Sequence, residues 1–136
     1  MGKKKITFIA IAVLLGFYLL TKVLNNISPN VGQETYEYHC AGCHGKDGKG
    51  LGGIVPPLAL ADWMEDNQEK LPCVIYNGIS TPLVVNGIEY HQEMIGFNYL
   101  SEIQLTNIIN YINNAWGNKL GYKTVQEVED LLGECD

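Results

Sequence analysis

Residues Cys40–His44 form the motif that most constrains what this chain can fold into. They read Cys-Ala-Gly-Cys-His, a C-x-x-C-H pattern that occurs once in 136 residues and is typical of covalent c-type haem attachment. Two cysteines at this spacing can each form a thioether to one edge of a porphyrin, and the next side chain then lies under the iron. The motif predicts one haem c attached through Cys40 and Cys43, with His44 as the proximal iron ligand.

A C-x-x-C pair by itself also occurs in redox dithiols and in zinc sites. The first is expected within a βαβ pattern, and the second needs another ligand pair at similar spacing. The sequence has neither. The glycine-rich segment 45–53 also fails the phosphate-loop pattern, because it has no preceding strand and no Gly-Lys-Ser/Thr ending. Haem attachment is therefore the interpretation that the residues favour.

The N-terminal segment differs in composition from the rest of the chain. Lys3, Lys4 and Lys5 precede an apolar stretch of 19 residues, 6–24, whose only charge is Lys22. A helix of that length extends about 28 Å, close to the roughly 30 Å hydrocarbon core of a bilayer. A cleaved secretory signal is the alternative, but its apolar run is shorter, roughly 7–15 residues, and needs an A-x-A-like cleavage site. We therefore expect an uncleaved transmembrane anchor.

Charge predicts an orientation and excludes some partners. Lysines flanking a span stay in the cytoplasm, so the remaining chain is expected on the periplasmic or outer side of a bacterial inner membrane. An oxidising compartment would let Cys73 and Cys135 form a disulfide, with free buried thiols as the alternative. Residues 25–136 hold 5 lysines, no arginine and 15 acidic residues, a net charge of −10. Nucleic acid and anionic lipid headgroups are poor partners for such a surface.

Residue patterns divide the chain into an anchor at 1–24, a linker at 25–30, a domain at 31–118 and a helical extension at 119–136. Capping boxes predict helices that start after Ser101 and Thr124, and Asn86-Gly87 marks a brief hairpin within 81–90. The remaining helices are expected from Val31 to about Cys43, and from Asp62 to about Tyr76 as one or two short helices broken near Pro72.

From about residue 31 to 118 the chain resembles class I cytochromes c. Residues Cys40–Gly45 and Asp47–Gly50 are similar to the family's haem-attachment segment. Pro56 lies twelve residues past His44, where the family has a proline whose carbonyl accepts the proximal histidine's N–H. The residues that resemble the crossing of the family's first and last helices are Gly32, Tyr36, Ile108 and Tyr111. The resemblance implies an all-α, small cytochrome c fold around one covalent haem, here preceded by one transmembrane helix.

Three side chains are candidates for the sixth iron ligand: Met64, His91 and Met94. The resemblance favours Met94, which lies fifty residues after His44 in an irregular segment before the capped helix. Class I members place a methionine there, although Ile95 replaces the proline that usually follows it. Met64 also fits an apolar helix face, and His91 is too near Met94 in sequence for both to ligate one face of the haem.

The expected function follows from the ligands. A haem bound by His44 and Met94 has no vacant position for oxygen or peroxide, so its chemistry is one-electron exchange and the protein is not an enzyme. The sequence predicts a membrane-tethered respiratory carrier, held in lipid through residues 6–24, between a quinol-oxidising complex and a terminal oxidase or reductase. The alternatives are a permanently docked cytochrome subunit of a larger membrane complex and a haem-based gas sensor.

Overall fold

The computed structural model describes residues 12–19 and 31–135, and the chain divides into two compact units at residues 30 and 31. In the first unit, residues 12–19 are helical (α1) and carry exposed apolar side chains. Within the two described ranges, none of the helices combines the length and apolar character that a membrane crossing requires. The rest of the anchor predicted at 6–24 lies outside the described residues.

The second unit is mainly helical. Its helices are α2 (Val31–His39), α3 (Ala41–His44), α4 (Asp62–Asp66), α5 (Leu71–Asn77), α6 (Glu102–Asn114) and α7 (Val125–Leu132). Its strands are β1 (Gly78–Ile79), β2 (Leu83–Val85), β3 (Ile88–Tyr90) and β4 (Met94–Ile95).

The strands are two or three residues long and form two antiparallel pairs within this mainly helical unit. The β2–β3 hairpin turns at Asn86-Gly87 and confirms the predicted one. The β1–β4 pair was not predicted, because each strand has only two residues and shows no alternation of polar and apolar side chains. Such a pair is specified by tertiary packing more than by the local sequence.

Helix α6 provides the centre of the core. Its predicted capping box is confirmed, since the Ser101 side chain accepts from the Gln104 N–H and the Gln104 side chain accepts from the Ser101 N–H. The helix ends at Asn114, before Gly117, because Ala115 is extended with φ of −87° and ψ of 162°, and Trp116 and Gly117 then take positive φ of 53° and 95°. The apolar face that the helix buries comprises Leu105, Ile108, Ile109 and Ile112.

Helices α2 and α6 cross where the sequence predicted contact. A Cβ at Gly32 would collide with the Asn107 carbonyl oxygen, so only glycine permits this approach. The fully buried ring of Tyr36 packs 5.3 Å from the ring of Tyr111, centroid to centroid. The helix predicted from Val31 to about Cys43 is interrupted at Cys40, whose carbonyl accepts from both the Cys43 and the His44 N–H. The bond from the N–H three residues on is of the 3₁₀ type, so the turn at Cys40 is tighter than a regular α-helical turn.

The remaining helices form one wall of the core. The segment predicted at 62–76 is two helices, but the break lies at 67–70 and Pro72 is in the first turn of α5. Proline fits there because the first N–H groups of a helix lack intrahelical partners. The second capping box is confirmed at Thr124 and Glu127, and α7 packs against α5 and α6.

The predicted disulfide between Cys73 and Cys135 is also confirmed. Cys73 lies in α5 and Cys135 follows α7, and 62 residues separate them in sequence. The bond therefore fastens the C-terminal extension to the segment at Pro72.

Candidate haem site

The second unit contains an apolar cavity of about 450 Å³. Cofactor sites in proteins typically occupy 300–1,000 Å³ and are lined mainly by apolar side chains, with a few polar groups that fix orientation. The cavity brings together the five predicted site residues, which are Cys40, Cys43, His44, Pro56 and Met94. Most other lining residues are apolar, including Leu58, Leu71, Val74, Ile75 and Ile108. Size and lining both fit one porphyrin.

His44 is buried at the end of α3, and its ring has a fixed hydrogen bond. Its Nδ1 lies 3.0 Å from the carbonyl oxygen of Pro56. A carbonyl can only accept, so Nδ1 carries the proton and Nε2 keeps its lone pair. Burial lowers the pKa of His44, and the bond to Pro56 opposes this effect. The imidazole is therefore neutral at pH 7, with Nε2 able to bind a metal.

The loop after His44 folds back so that Pro56 meets the ring. The Gly50 N–H donates to the His44 carbonyl over 2.8 Å. Gly50 has φ of 70°, and a Cβ there would lie 2.6 Å from the Pro56 carbonyl oxygen. A side chain at Gly50 would thus push away the group that orients the imidazole. This explains why the loop needs glycine at that position.

The two cysteines of the motif are separate from the disulfide. Cys40 is buried and Cys43 is exposed, and both line the cavity. Burial, with a smaller contribution from Cys43, raises the pKa of the Cys40 thiol to about 12. Both cysteines lie at the cavity and are free of the disulfide, which fits a covalently attached haem.

The three candidates for the sixth ligand lie in different surroundings. Met94, in β4, is half-buried and lines the cavity, and Met64 on α4 also lines it but is fully packed in the core. The His91 side chain is 69% exposed, lies 3.6 Å from Glu89 and is outside the cavity lining. Exposure of His91 leaves a methionine as the ligand that the geometry favours.

His39 is a polar lining residue to which the sequence assigned no role. His39 is half-buried at the cavity, its Nδ1 lies 3.2 Å from the Tyr99 hydroxyl, and its ring packs 5.8 Å from that of Phe97. Its position directly before Cys40 was the available signal. Tyr99 and Phe97 had no local signal, since they meet His39 only through the fold.

A cavity with this donor set defines a haem protein of the c type, and comparison with known proteins identifies the family. The cytochrome c family model matches residues 30–116. Cytochrome c-552 of Thermus thermophilus is 35% identical over 101 residues, which cover 68% of this chain and 77% of that protein. The chain therefore belongs to the cytochrome c family, whose members are electron carriers, and it carries covalently bound haem c.

A second group of relatives consists of larger proteins. The cytochrome c subunit of a quinone alcohol dehydrogenase from Gluconobacter oxydans is 34% identical over 106 residues, and that from Gluconacetobacter polyoxogenes is 35% identical over 103. These matches cover 75% and 74% of this chain but only 22% of each subunit. The chain thus corresponds to about a fifth of such a subunit.

Proposed function

We propose that this protein is a membrane-tethered monohaem cytochrome c that carries single electrons in a respiratory chain. In this proposal Cys40 and Cys43 hold the haem through thioethers, and His44 and Met94 ligate the iron. The observation that carries it is the apolar cavity that all four residues line. When bound, the haem supplies one-electron exchange between ferric and ferrous iron.

The residues of the chain set how readily the haem accepts an electron. The Pro56 carbonyl holds the His44 ring through Nδ1 at the cavity, which leaves Nε2 to bind iron. A thioether ligand and an apolar lining favour the ferrous state, because it carries less net charge. We therefore expect a potential positive enough to supply a terminal oxidase or another high-potential acceptor.

Carbon monoxide distinguishes a carrier from a gas sensor. The ferrous holoprotein is titrated with CO and followed by its absorption spectrum. A six-coordinate carrier leaves the spectrum unchanged on mixing and undergoes a reversible one-electron redox titration. Rapid formation of a CO complex would contradict the proposal and favour a sensor in which Met94 is displaceable.

The surface charges support a partner whose docking surface is basic or neutral. Lys46 and Lys49, the lysines nearest to the haem motif, form ion pairs with Glu37 at 2.7 Å and Asp47 at 2.9 Å. Their positive charge is thus compensated locally. Long-range attraction should then come from the excess of carboxylates on the domain.

Ionic strength tests this electrostatic proposal. Electron-transfer rates to the native partner are compared for wild type, for Lys46→Glu/Lys49→Glu, and for a variant neutralising the exposed acidic residues Glu65, Asp66 and Glu69. We expect the neutralised variant to be slower and less dependent on salt. A large loss with the lysine reversals and none with the acidic neutralisation would indicate an acidic partner.

The protein could work as a mobile carrier or as a docked subunit of a redox complex, and each arrangement has support among the relatives. Relatives named as subunits of a quinone alcohol dehydrogenase support a permanently docked cytochrome. Cytochrome c-552, whose name assigns it to no complex, supports a carrier between a quinol-oxidising complex and an oxidase or reductase. Native membranes are solubilised in mild detergent and the protein is captured. A carrier is recovered alone, and a docked subunit is recovered with its complex.

Anchoring in the inner membrane, with the haem domain on the periplasmic side, is also part of the proposal. The apolar and exposed helical residues 12–19 support it. Alkaline carbonate should leave the full chain in the membrane pellet and release a variant that begins at residue 25. Release of the full chain would contradict a transmembrane anchor.

A further inference from the structure

The segment that carries Met94 runs directly beside the end of α5. In the β1–β4 pair, Gly78 is opposite Ile95 and Ile79 is opposite Met94. One residue beyond Gly96, the Phe97 N–H donates to the carbonyl of Ile75 in α5 over 2.9 Å. Helix α5 is itself a wall of the cavity, since Leu71, Val74 and Ile75 line it. The segment that carries Met94 is therefore placed by β1 at Met94 itself and by this wall at Phe97.

Two glycines make the contact possible. A Cβ at Gly78 would collide with the carbonyl oxygen of Met94 and would lie 2.7 Å from the Gly96 nitrogen. A Cβ at Gly96 would lie 2.5 Å from the carbonyl carbon of Asn77 and 2.5 Å from the carbonyl oxygen of Tyr76. The two backbones thus face each other with no room for a side chain on either.

We infer that Gly78 and Gly96 are positioning residues for Met94, because their missing side chains set how closely the Met94 segment approaches the cavity wall. The inference rests on the proposed role of Met94 as an iron ligand. It deepens that role by naming what places the thioether.

The size of the effect follows from the distances. Ordinary van der Waals contact begins near 3.4 Å, so a Cβ at 2.5 Å would force the two backbones apart by about 1 Å. Metal–ligand distances hold to within about 0.2 Å. A displacement several times that tolerance should remove the sulfur from bonding distance unless the side chain changes rotamer.

Backbone strain is the competing explanation for Gly78, and the chain offers a matched control. Gly78 has φ of +81°, and Gly87 has φ of +75° with nothing within 4 Å of an added Cβ. Alanine therefore introduces the same kind of strain at Gly87 without the contact. Gly52 is the corresponding control for Gly96, since neither has a left-handed φ and Gly52 has open space around it.

The experiment uses the full-chain holoprotein with Gly78→Ala, Gly96→Ala and the controls Gly87→Ala and Gly52→Ala. Val128→Ala is added as a stability control, since Val128 is fully buried on α7 and is outside the cavity lining. The ferric spectrum is read for the methionine-to-iron charge-transfer band, alongside the reduction potential, the helical circular dichroism and the Tm. We expect at least a twofold loss of the band and a lower potential in both test variants, with the band unchanged in all three controls.

Met94→Ala tests the identity of the iron ligand separately from the role of the two glycines in placing it. If this variant loses the band while Gly78→Ala and Gly96→Ala keep it, the ligand is right and the positioning inference is wrong. If Met94→Ala keeps the band, the proposed ligand is wrong and the inference falls with it.

A measurement on wild type covers the case in which a glycine variant does not fold. Under rising denaturant, the charge-transfer band should disappear together with hydrogen-exchange protection of the Phe97 amide, while amides of α6 stay protected. A band that outlasts protection of Phe97 would overturn the inference.

Discussion

The two sides of the haem cavity hold their ligand candidates by different means. On the His44 side, residues 44–58, the ring itself is hydrogen-bonded to Pro56, only 12 residues away. On the Met94 side, residues 71–97, the backbone is paired with β1 and abuts Gly78. A thioether is a weak hydrogen-bond acceptor, so its position depends on the backbone that carries it. An imidazole is fixed by one directional bond, whereas a thioether needs a whole segment to be placed.

Removal of the disulfide should weaken the Met94 side most. The Cys73–Cys135 bond fastens α5, the wall that Met94 packs against, and closes a loop across 62 residues. Chain-entropy reasoning gives about 4 kcal/mol of stabilisation for a loop of this size. We expect Cys73→Ala/Cys135→Ala to lower the free energy of unfolding by about this amount in denaturant titrations, with the charge-transfer band lost before the helical signal.

Reduction of the wild-type disulfide is the matched comparison. Thiol reductant should bring wild type to the midpoint of the double variant and leave the double variant unchanged. An unaltered midpoint after removal of both cysteines would show that the bond does not support this side of the cavity.

A buried amide pair next to the Met94 side, at the turn that leads into α5, should give the next largest effect. Gln68 and Asn113 exchange hydrogen bonds at 3.1 and 2.7 Å, and Asn113 is fully buried. The pair joins α6 to the turn between α4 and α5. Asn113→Ala leaves the Gln68 amide without this partner, which costs about 1–3 kcal/mol. Thermal unfolding of Asn113→Ala, Gln68→Ala and the double variant measures the coupling energy between the two side chains. If the losses in stability of the single variants simply add up in the double variant, the two side chains do not interact directly.

On the His44 side, a glycine should affect the potential but not the charge-transfer band. Gly50→Ala pushes the Pro56 carbonyl away from Nδ1, so the imidazole donates less electron density to the iron. A hydrogen bond contributes about 0.5–1.5 kcal/mol, which corresponds to a potential more positive by roughly 20–65 mV for one electron. Gly53→Ala is the control, because Gly53 has φ of +74° and open space around it. Loss of the band in Gly50→Ala would mean that the two sides are not independent.

The same contrast explains what could be predicted from the sequence. Cys40–His44, the two capping boxes and the Asn86-Gly87 hairpin depend on residues close together in the chain, so haem attachment, two helix starts and the hairpin could be predicted from them. The fold was implied by the resemblance to class I cytochromes c. Pro56 and Met94 came from a family resemblance. Gly78 contacts Gly96, and His39 contacts Tyr99. Each contact joins segments that are far apart in sequence, so no local sequence pattern predicts it.

The smallest expected effect concerns α7, which the disulfide ties to the Met94 side. Hydrogen bonds from the Thr124 N–H and hydroxyl to the Glu127 carboxylate lower the pKa of Glu127 below its ordinary value of 4.5. A lowered pKa stabilises the folded state above the ordinary value, and this contribution is lost as pH falls through the folded pKa. Glu127→Gln should therefore have a slightly lower Tm than wild type at pH 7, and the difference should vanish in acid.

A pH-independent difference between these two proteins would contradict a charged capping box. Glu129→Gln, an exposed change on the same helix outside the capping box, is the control and should leave the Tm unchanged at both pH values.

The most direct test of iron ligation by Met94 compares the spectrum of the Met94→Ala holoprotein with that of His91→Ala. We predict that Met94→Ala loses the methionine-to-iron charge-transfer band, lowers the potential and lets the ferrous protein bind CO, because a position on the iron opens. His91→Ala should match wild type in all three, since that side chain is exposed and lies outside the cavity lining. If the band survives in Met94→Ala, or is lost in His91→Ala, the haem is not held between His44 and Met94 and the account is wrong.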